Sequence, residues 1–333
     1  MSLKLIKNPE LFQGNFDKKN YFEGWYFKHV SADGKHTIAF IPGISLDGVD
    51  SHSFVQVIVS PDIKTYYFRY PLNAFSTKDN PFSVTIGDSV FSMQGCKIAL
   101  DDASQEVSQG FSFTGEIRYS DITPIQASPL TPNIMGFFAY IPNMECNHGV
   151  LSMNHQLIGE VKLTDHQTHS DHETHSDHQT FDFTGGKGYT EKDWGTSFPS
   201  EYIWIQANHF EDASTSFMCS IATIPFGLFS FRGLIANLHV KGKEYRFATY
   251  NRTKVENFVI DKYRVKFDLV KSDVILTCEA LLTETGALKA PQKGEMQRTI
   301  KEGLSGDVTL TLKRDGLEPL TLKSSNVSIE ITS

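Results

Sequence analysis

The sequence predicts an all-β protein, made of many short antiparallel strands organised as sandwiches or barrels. Three observations predict it. Aromatic residues fill 12% of 333 positions, with 25 Phe and 12 Tyr against 3 Trp, and aromatic and β-branched side chains favour pleated, half-buried surfaces. Short alternating runs bounded by Gly, Pro, Asn or Asp recur throughout the chain. Helical periodicity is nearly absent, and only residues 3–13 have room for one short helical turn.

The clearest early strand covers 52–59, where Phe54, Gln56 and Ile58 oppose Val55, Val57 and Val59. The same alternation marks 64–70, 82–86, 89–93, 111–119, 202–210 and 217–224. Near the C-terminus Val308, Leu310 and Leu312 alternate with Thr. Lys313-Arg-Asp-Gly then turns the chain, and Val327, Ile329 and Ile331 resume the pattern. Tyr21-Phe-Glu-Gly-Trp-Tyr-Phe-Lys-His and Tyr202-Ile-Trp-Ile-Gln-Ala-Asn-His echo one another as aromatic strands centred on Trp. That echo, and the length, favour two similar units.

Between them, 165–180 reads DHQTHS-DHETHS-DHQT, a six-residue unit carrying His166, His169, His172, His175 and His178. Such a segment buries little and reads as an expanded hairpin loop between strands at 157–163 and 180–184. A uniform step of three does not place ligands on one face, so adventitious metal affinity is favoured over a functional metal site. The domain join is expected just before it, near 145–156, giving domains 1–150 and 151–333.

Lys and Arg total 31 against 39 Asp and Glu, a net charge of −8. That sign repels phosphate backbones and argues against nucleic acid as a partner. No window approaches the roughly 18 apolar residues of a membrane helix, and the N-terminus lacks a signal-peptide pattern. Cys96, Cys146, Cys219 and Cys278 are far apart in sequence and suit free thiols in a reducing cytoplasm. A cytoplasmic protein is expected.

No phosphate loop, dinucleotide fingerprint, nucleophile elbow or H-E-x-x-H helix is present. Polar and aromatic residues gather instead at 21–29, 52–56, 144–155 and 185–209. In the last patch Asp193 stands between Lys192 and Trp194, after a Gly-rich approach read as turns. Desolvation by aromatic surface raises a carboxyl pKa and keeps the acid protonated near neutrality. The alternative for Asp193 is a turn cap on backbone N–H groups, with Lys192 as its pair.

Strand alternation sorts the neighbouring residues. Tyr21, Glu23, Trp25, Phe27 and His29 share one face, opposed to Phe22, Gly24, Tyr26 and Lys28. Tyr202, Trp204, Gln206 and Asn208 combine aromatics with amides and suit an amphipathic ligand. Ile203, Ile205 and Ala207 oppose them and are expected to pack on a neighbouring layer.

Three segments carry a family resemblance: Tyr21-Phe-Glu-Gly-Trp-Tyr-Phe-Lys, Met144-Glu-Cys-Asn-His-Gly-Val-Leu-Ser-Met, and Gly188-Tyr-Thr-Glu-Lys-Asp-Trp-Gly-Thr-Ser-Phe-Pro with the strand from Tyr202. Together they resemble the tocopherol cyclase family, in order and over nearly the whole chain. The His-rich insert is foreign to that pattern. The resemblance implies two tandem antiparallel lipocalin-like β-barrels and, in plants and cyanobacteria, closure of a prenylated quinol to a chromanol.

That chemistry needs an acid for a trisubstituted alkene and a base for the phenolic proton, and no cofactor or metal. Asp193 is the candidate acid, His148 and His155 are candidates for the base, and Glu23 or His148 is the alternative to Asp193; His52 is a weaker candidate. Trp25, Tyr26, Trp194 and Trp204 are candidates for an aromatic wall, where each face gives a cation about 2 kcal/mol or more when desolvated. Gln206 and Asn208 are candidates for holding the head group. Trp25 is read either as this wall or as the plug of a barrel end. The expected partner is a hydrophobic prenylquinol or isoprenoid, collected by transient contact with a membrane surface. The alternative function is a non-catalytic isoprenoid or lipid carrier.

Overall fold

Strand follows strand almost from end to end: 66% of the described residues are strand and 5% helix. The computed structural model describes residues 2–101, 110–166, 177–226 and 229–332. Among them the α-helical part is one short helix, Leu3–Lys7, opened by the Ser2 side chain accepting from Leu5 N–H. Among the described residues no helix is long and apolar enough to cross a membrane.

The strands form two antiparallel sheets, one of 12 strands and one of 10. The first begins with Tyr21–Val30 and ends with Lys187–Gly195, and these two strands pair. The second begins with Tyr202–Ala207 and ends with Leu317–Thr332, which pair in the same way. In each sheet the two edge strands are chain neighbours joined by a single 3-10 turn, Leu72–Ala74 in one and Thr249–Asn251 in the other. A sheet whose edges are tied so closely must roll up, and each encloses its own apolar core. The pattern is that of lipocalin-like barrels. The echoing segments at Tyr21 and Tyr202 are the first strands of the two sheets, so the repeat is one of topology as well as sequence.

The expected domain join near 145–156 is corrected. Strand Cys146–Asp165 lies inside the first sheet, between Phe111–Thr123 and Lys187–Gly195, and the sheets divide between Gly195 and Tyr202. The reason is the hairpin itself. Cys146–Asp165 and Asp177–Asp182 pair from Glu160↔Asp182 to Asp165↔Asp177, and partners in a ladder must belong to one sheet. The His-rich segment therefore belongs to the first unit; residues 167–176 lie outside the described residues.

A third apolar cluster joins the outer faces of the two sheets, with Tyr26, Tyr189, Tyr202, Trp204, Met218 and Ile300 among its members. Alternation decides which side chains reach it. On Tyr21–Val30 the inner face carries Trp25 and Phe27 and the outer face Tyr26; on Tyr202–Ala207 the inner face carries Ile203, Ile205 and Ala207 and the outer face Tyr202 and Trp204. The layer expected behind Ile203, Ile205 and Ala207 is the interior of the second barrel.

Candidate active site

The segment expected to be turns is a strand. Gly185, at a φ of 78° that suits glycine, leads into Lys187–Gly195, whose two ladders pair Asp193 with Gly24 on one side and with His148 on the other. Asp193 therefore sits mid-strand and caps no turn. Residues two apart share a face, so Tyr189, Glu191 and Asp193 point outward toward the second barrel while Lys192 and Trp194 point into the first.

His148 is clamped between the two acids. Its Nδ1 lies 2.8 Å from Asp193 Oδ1 and its Nε2 3.2 Å from Glu191 Oε2. The second contact is short enough for charge pairing, though its alignment is poor for a hydrogen bond. Glu191 Oε2 also accepts from Tyr189 OH at 2.5 Å and from Trp204 Nε1 at 3.1 Å. Burial works against an imidazolium here, but the charges of Glu191 and Asp193 outweigh it and hold the His148 pKa well above its usual value. Burial and the adjacent Glu191 push Tyr189 far up, which keeps its phenol a donor.

His148, Glu191 and Asp193 line one wall of an apolar cleft between the barrels, about 1280 Å³ including its open mouth. The first barrel contributes Tyr26, His148, Glu191 and Asp193; the second contributes Tyr202, Trp204 and Glu330. Tyr26 and Trp204 meet edge to face at 5.4 Å between ring centres. Tyr26 OH donates to Glu302 Oε1 at 2.5 Å, and Tyr202 OH to Glu330 Oε2 at 2.5 Å. His148, Glu191 and Asp193 also offer one ligand atom each within 4.8 Å of one another, a spacing that suits a small divalent cation. Both imidazole nitrogens face carboxylates, so a protonated His148 would satisfy the same two acids without a metal.

The structure brings together Asp193, His148, Tyr26 and Trp204 and separates the other candidates from them. Glu23 faces the interior of the first barrel, where it pairs with Lys192 at 2.5 Å and accepts from Gln13 N–H, Gly14 N–H and Tyr21 OH. Trp25 is fully buried in that core and donates to Glu10 O at 2.9 Å; it is the plug. Trp194 belongs to the same core, so an indole beside Asp193 in sequence does not cover its carboxyl. Gln206 and Asn208 are buried between the barrels but outside the cleft, with Gln206 accepting from Lys28 Nζ and Asn208 donating to Gly188 O. His155 lies against Ser152 and the Tyr119 ring, and His52 against Tyr67, both away from the cleft.

Sequence reasoning missed Glu191, Tyr189, Tyr202, Glu302 and Glu330. Glu191 was findable, because it shares the face of Asp193 two residues on. Glu302 and Glu330 were not, because only the packing of one barrel on the other sets their face against Tyr26 and the cleft.

A family model described as tocopherol cyclase-like matches residues 19–332. The chain belongs to the tocopherol cyclase-like family. A probable chloroplastic tocopherol cyclase of Oryza sativa subsp. japonica is 28% identical to it over 138 residues, 40% of this chain and 29% of that protein. The chain thus spans less than a third of the curated relative it matches. Among solved structures, CghA aligns with a TM-score of 0.58 at 10% identity, over 94% of this chain and 88% of that one. A putative AttH from Nitrosomonas europaea aligns with a TM-score of 0.53 at 14% identity, over 97% and 95%. At these identities the likeness is one of fold. Within this tocopherol cyclase-like chain, the resemblance segments from Tyr21, Met144 and Gly188 run through three adjacent strands of the first sheet, and the strand from Tyr202 that completes the match lies in the second sheet, across the cleft.

Proposed function

We propose that this chain catalyses acid-promoted addition of an oxygen nucleophile across a prenyl double bond, with closure of a prenylated quinol to a chromanol as the specific reaction. One observation carries the reading: His148 held between Asp193 and Glu191 on the wall of an apolar cleft, where the two acids raise its pKa. Asp193 takes the Nδ1 proton of His148 and passes it to the alkene carbon. The π electrons form the new C–H bond and leave a tertiary cation, flanked by the aromatic wall of Tyr26 and Trp204. A lone pair of the phenol oxygen then forms the C–O bond, and the phenolic proton returns to His148. No proton is consumed overall, and the apolar lining keeps water from trapping the cation. The rice relative's description as a probable tocopherol cyclase supports the choice of a prenylquinol. Collection of so apolar a substrate from a membrane surface is part of the same proposal.

The test is Asp193→Asn, with binding and single-turnover product formation followed on a prenylated hydroquinone. Binding should persist while turnover falls about 10²–10⁴-fold, as for loss of a general acid. Full turnover by a folded Asn variant overturns the role of Asp193. Binding without turnover by the parent protein favours the carrier function instead.

A further inference from the structure

Glu330 is the middle member of a row of three side chains on the outer face of the second barrel. Its ladder neighbours are Trp204 on one side and Glu302 on the other. Both neighbours are engaged by the first barrel: Trp204 Nε1 donates to Glu191, and Glu302 accepts from Tyr26 OH. Glu330 is not. Its Oε2 accepts from Tyr202 OH at 2.5 Å, within its own sheet. Its Oε1 has no protein partner among the described residues, and the half-buried side chain lines the cleft.

We propose that Glu330 Oε1 binds a hydrogen-bond-accepting oxygen on the ring of the ligand, and so selects an oxygenated head group over a plain hydrocarbon. Burial, and then the charge of Glu302, push the Glu330 carboxyl well above the usual range. With its pKa so raised, the acid can carry its proton on Oε1, since Oε2 takes the Tyr202 bond and the side chain lines the cleft. A half-buried donor on an apolar wall discriminates, because a ligand without an acceptor leaves it unsatisfied. Glu330 thus fixes the ring on one wall while the alkene meets Asp193 on the other. This placement rests on the proposed reaction, but the binding does not require turnover.

The probes are a geranylated 1,4-benzoquinone, which has carbonyl acceptors and cannot cyclise in its oxidised form, and geranylbenzene, which has no oxygen. Their affinities are read by quenching of tryptophan fluorescence in the parent, Glu330→Gln and Glu330→Leu. Glu330→Leu should weaken the quinone about tenfold, the equivalent of one hydrogen bond, and leave geranylbenzene unchanged. Glu330→Gln, which keeps a donor, should stay close to the parent. Equal quinone affinity in the parent and the Leu variant overturns the proposal, as does parallel loss of both ligands. Should the Leu variant not fold, the parent decides, because equal affinity for the two probes overturns it. Absence of turnover on the quinol leaves this comparison intact, so the two readings fail separately.

Discussion

His148 and Asp193 face each other across neighbouring strands, with Nδ1 2.8 Å from Oδ1. Glu191 approaches the other ring nitrogen, so one imidazole is held between two carboxylates, and the sequence places the three side chains on two distant segments. The proposed chemistry depends on the proton at Nδ1.

A pH titration of the His148 ring protons by NMR should find imidazolium persisting well above the ordinary pKa of about 6.5. Asp193→Asn and Glu191→Gln should each lower it. A histidine whose pKa is raised by folding stabilises fully below the unfolded value, and loses that contribution as pH rises through the folded value. Stability from this cluster should therefore fall on the alkaline side. A neutral His148 at pH 7 would contradict the site as described.

Glu23 and Lys192 form a buried ion pair that serves the fold. Lys192 Nζ also donates to Pro9 O and Leu11 O, tying the N-terminal segment over the barrel end. Lys192→Met should cost about 3–5 kcal/mol, since it strands a buried carboxylate. Glu23→Gln combined with Lys192→Met should cost less than the sum of the single changes. Denaturant melts of the four proteins check this. Turnover per folded molecule should not change, which separates Glu23 from the catalytic set.

Chelation distinguishes an ion-paired triad from a metal centre. Dialysis against EDTA should leave both turnover and melting temperature where they were. Activity lost on dialysis and restored by one divalent ion per chain would make His148, Glu191 and Asp193 ligands instead.

The thiols report on the cleft. Cys96, Cys219 and Cys278 are buried in the barrels, whereas Cys146 lines the cleft. Burial, then the nearby Asp193, raises the Cys146 thiol well above its usual range, so it should react slowly at neutral pH and faster as pH rises. One thiol should react in the native protein and four after denaturation, with a prenylquinone protecting the first. Fewer than four in the denatured chain would signal a disulfide and argue against a reducing compartment.

The all-β class was legible from alternation and aromatic content because a strand's pattern is local: residues two apart share a face whatever lies beyond. The same rule placed Tyr202, Trp204 and Gln206 together and paired the flanks of the His-rich segment as a hairpin. The domain join was misplaced because pairing one hairpin does not reveal which sheet it enters. The face carrying Glu23 and Trp25 looked as suitable for a ligand as the face carrying Tyr26, since both mix aromatics with a charge. Tertiary structure decided between them. Rolling the first sheet turns Trp25 and Glu23 into a filled core, and stacking the second barrel on its outside leaves the cleft between the two. Sequence by itself determined which side chains share a side of each strand. Only packing decided which side is interior and which acids meet across it, because burial of a face depends on its partner surface.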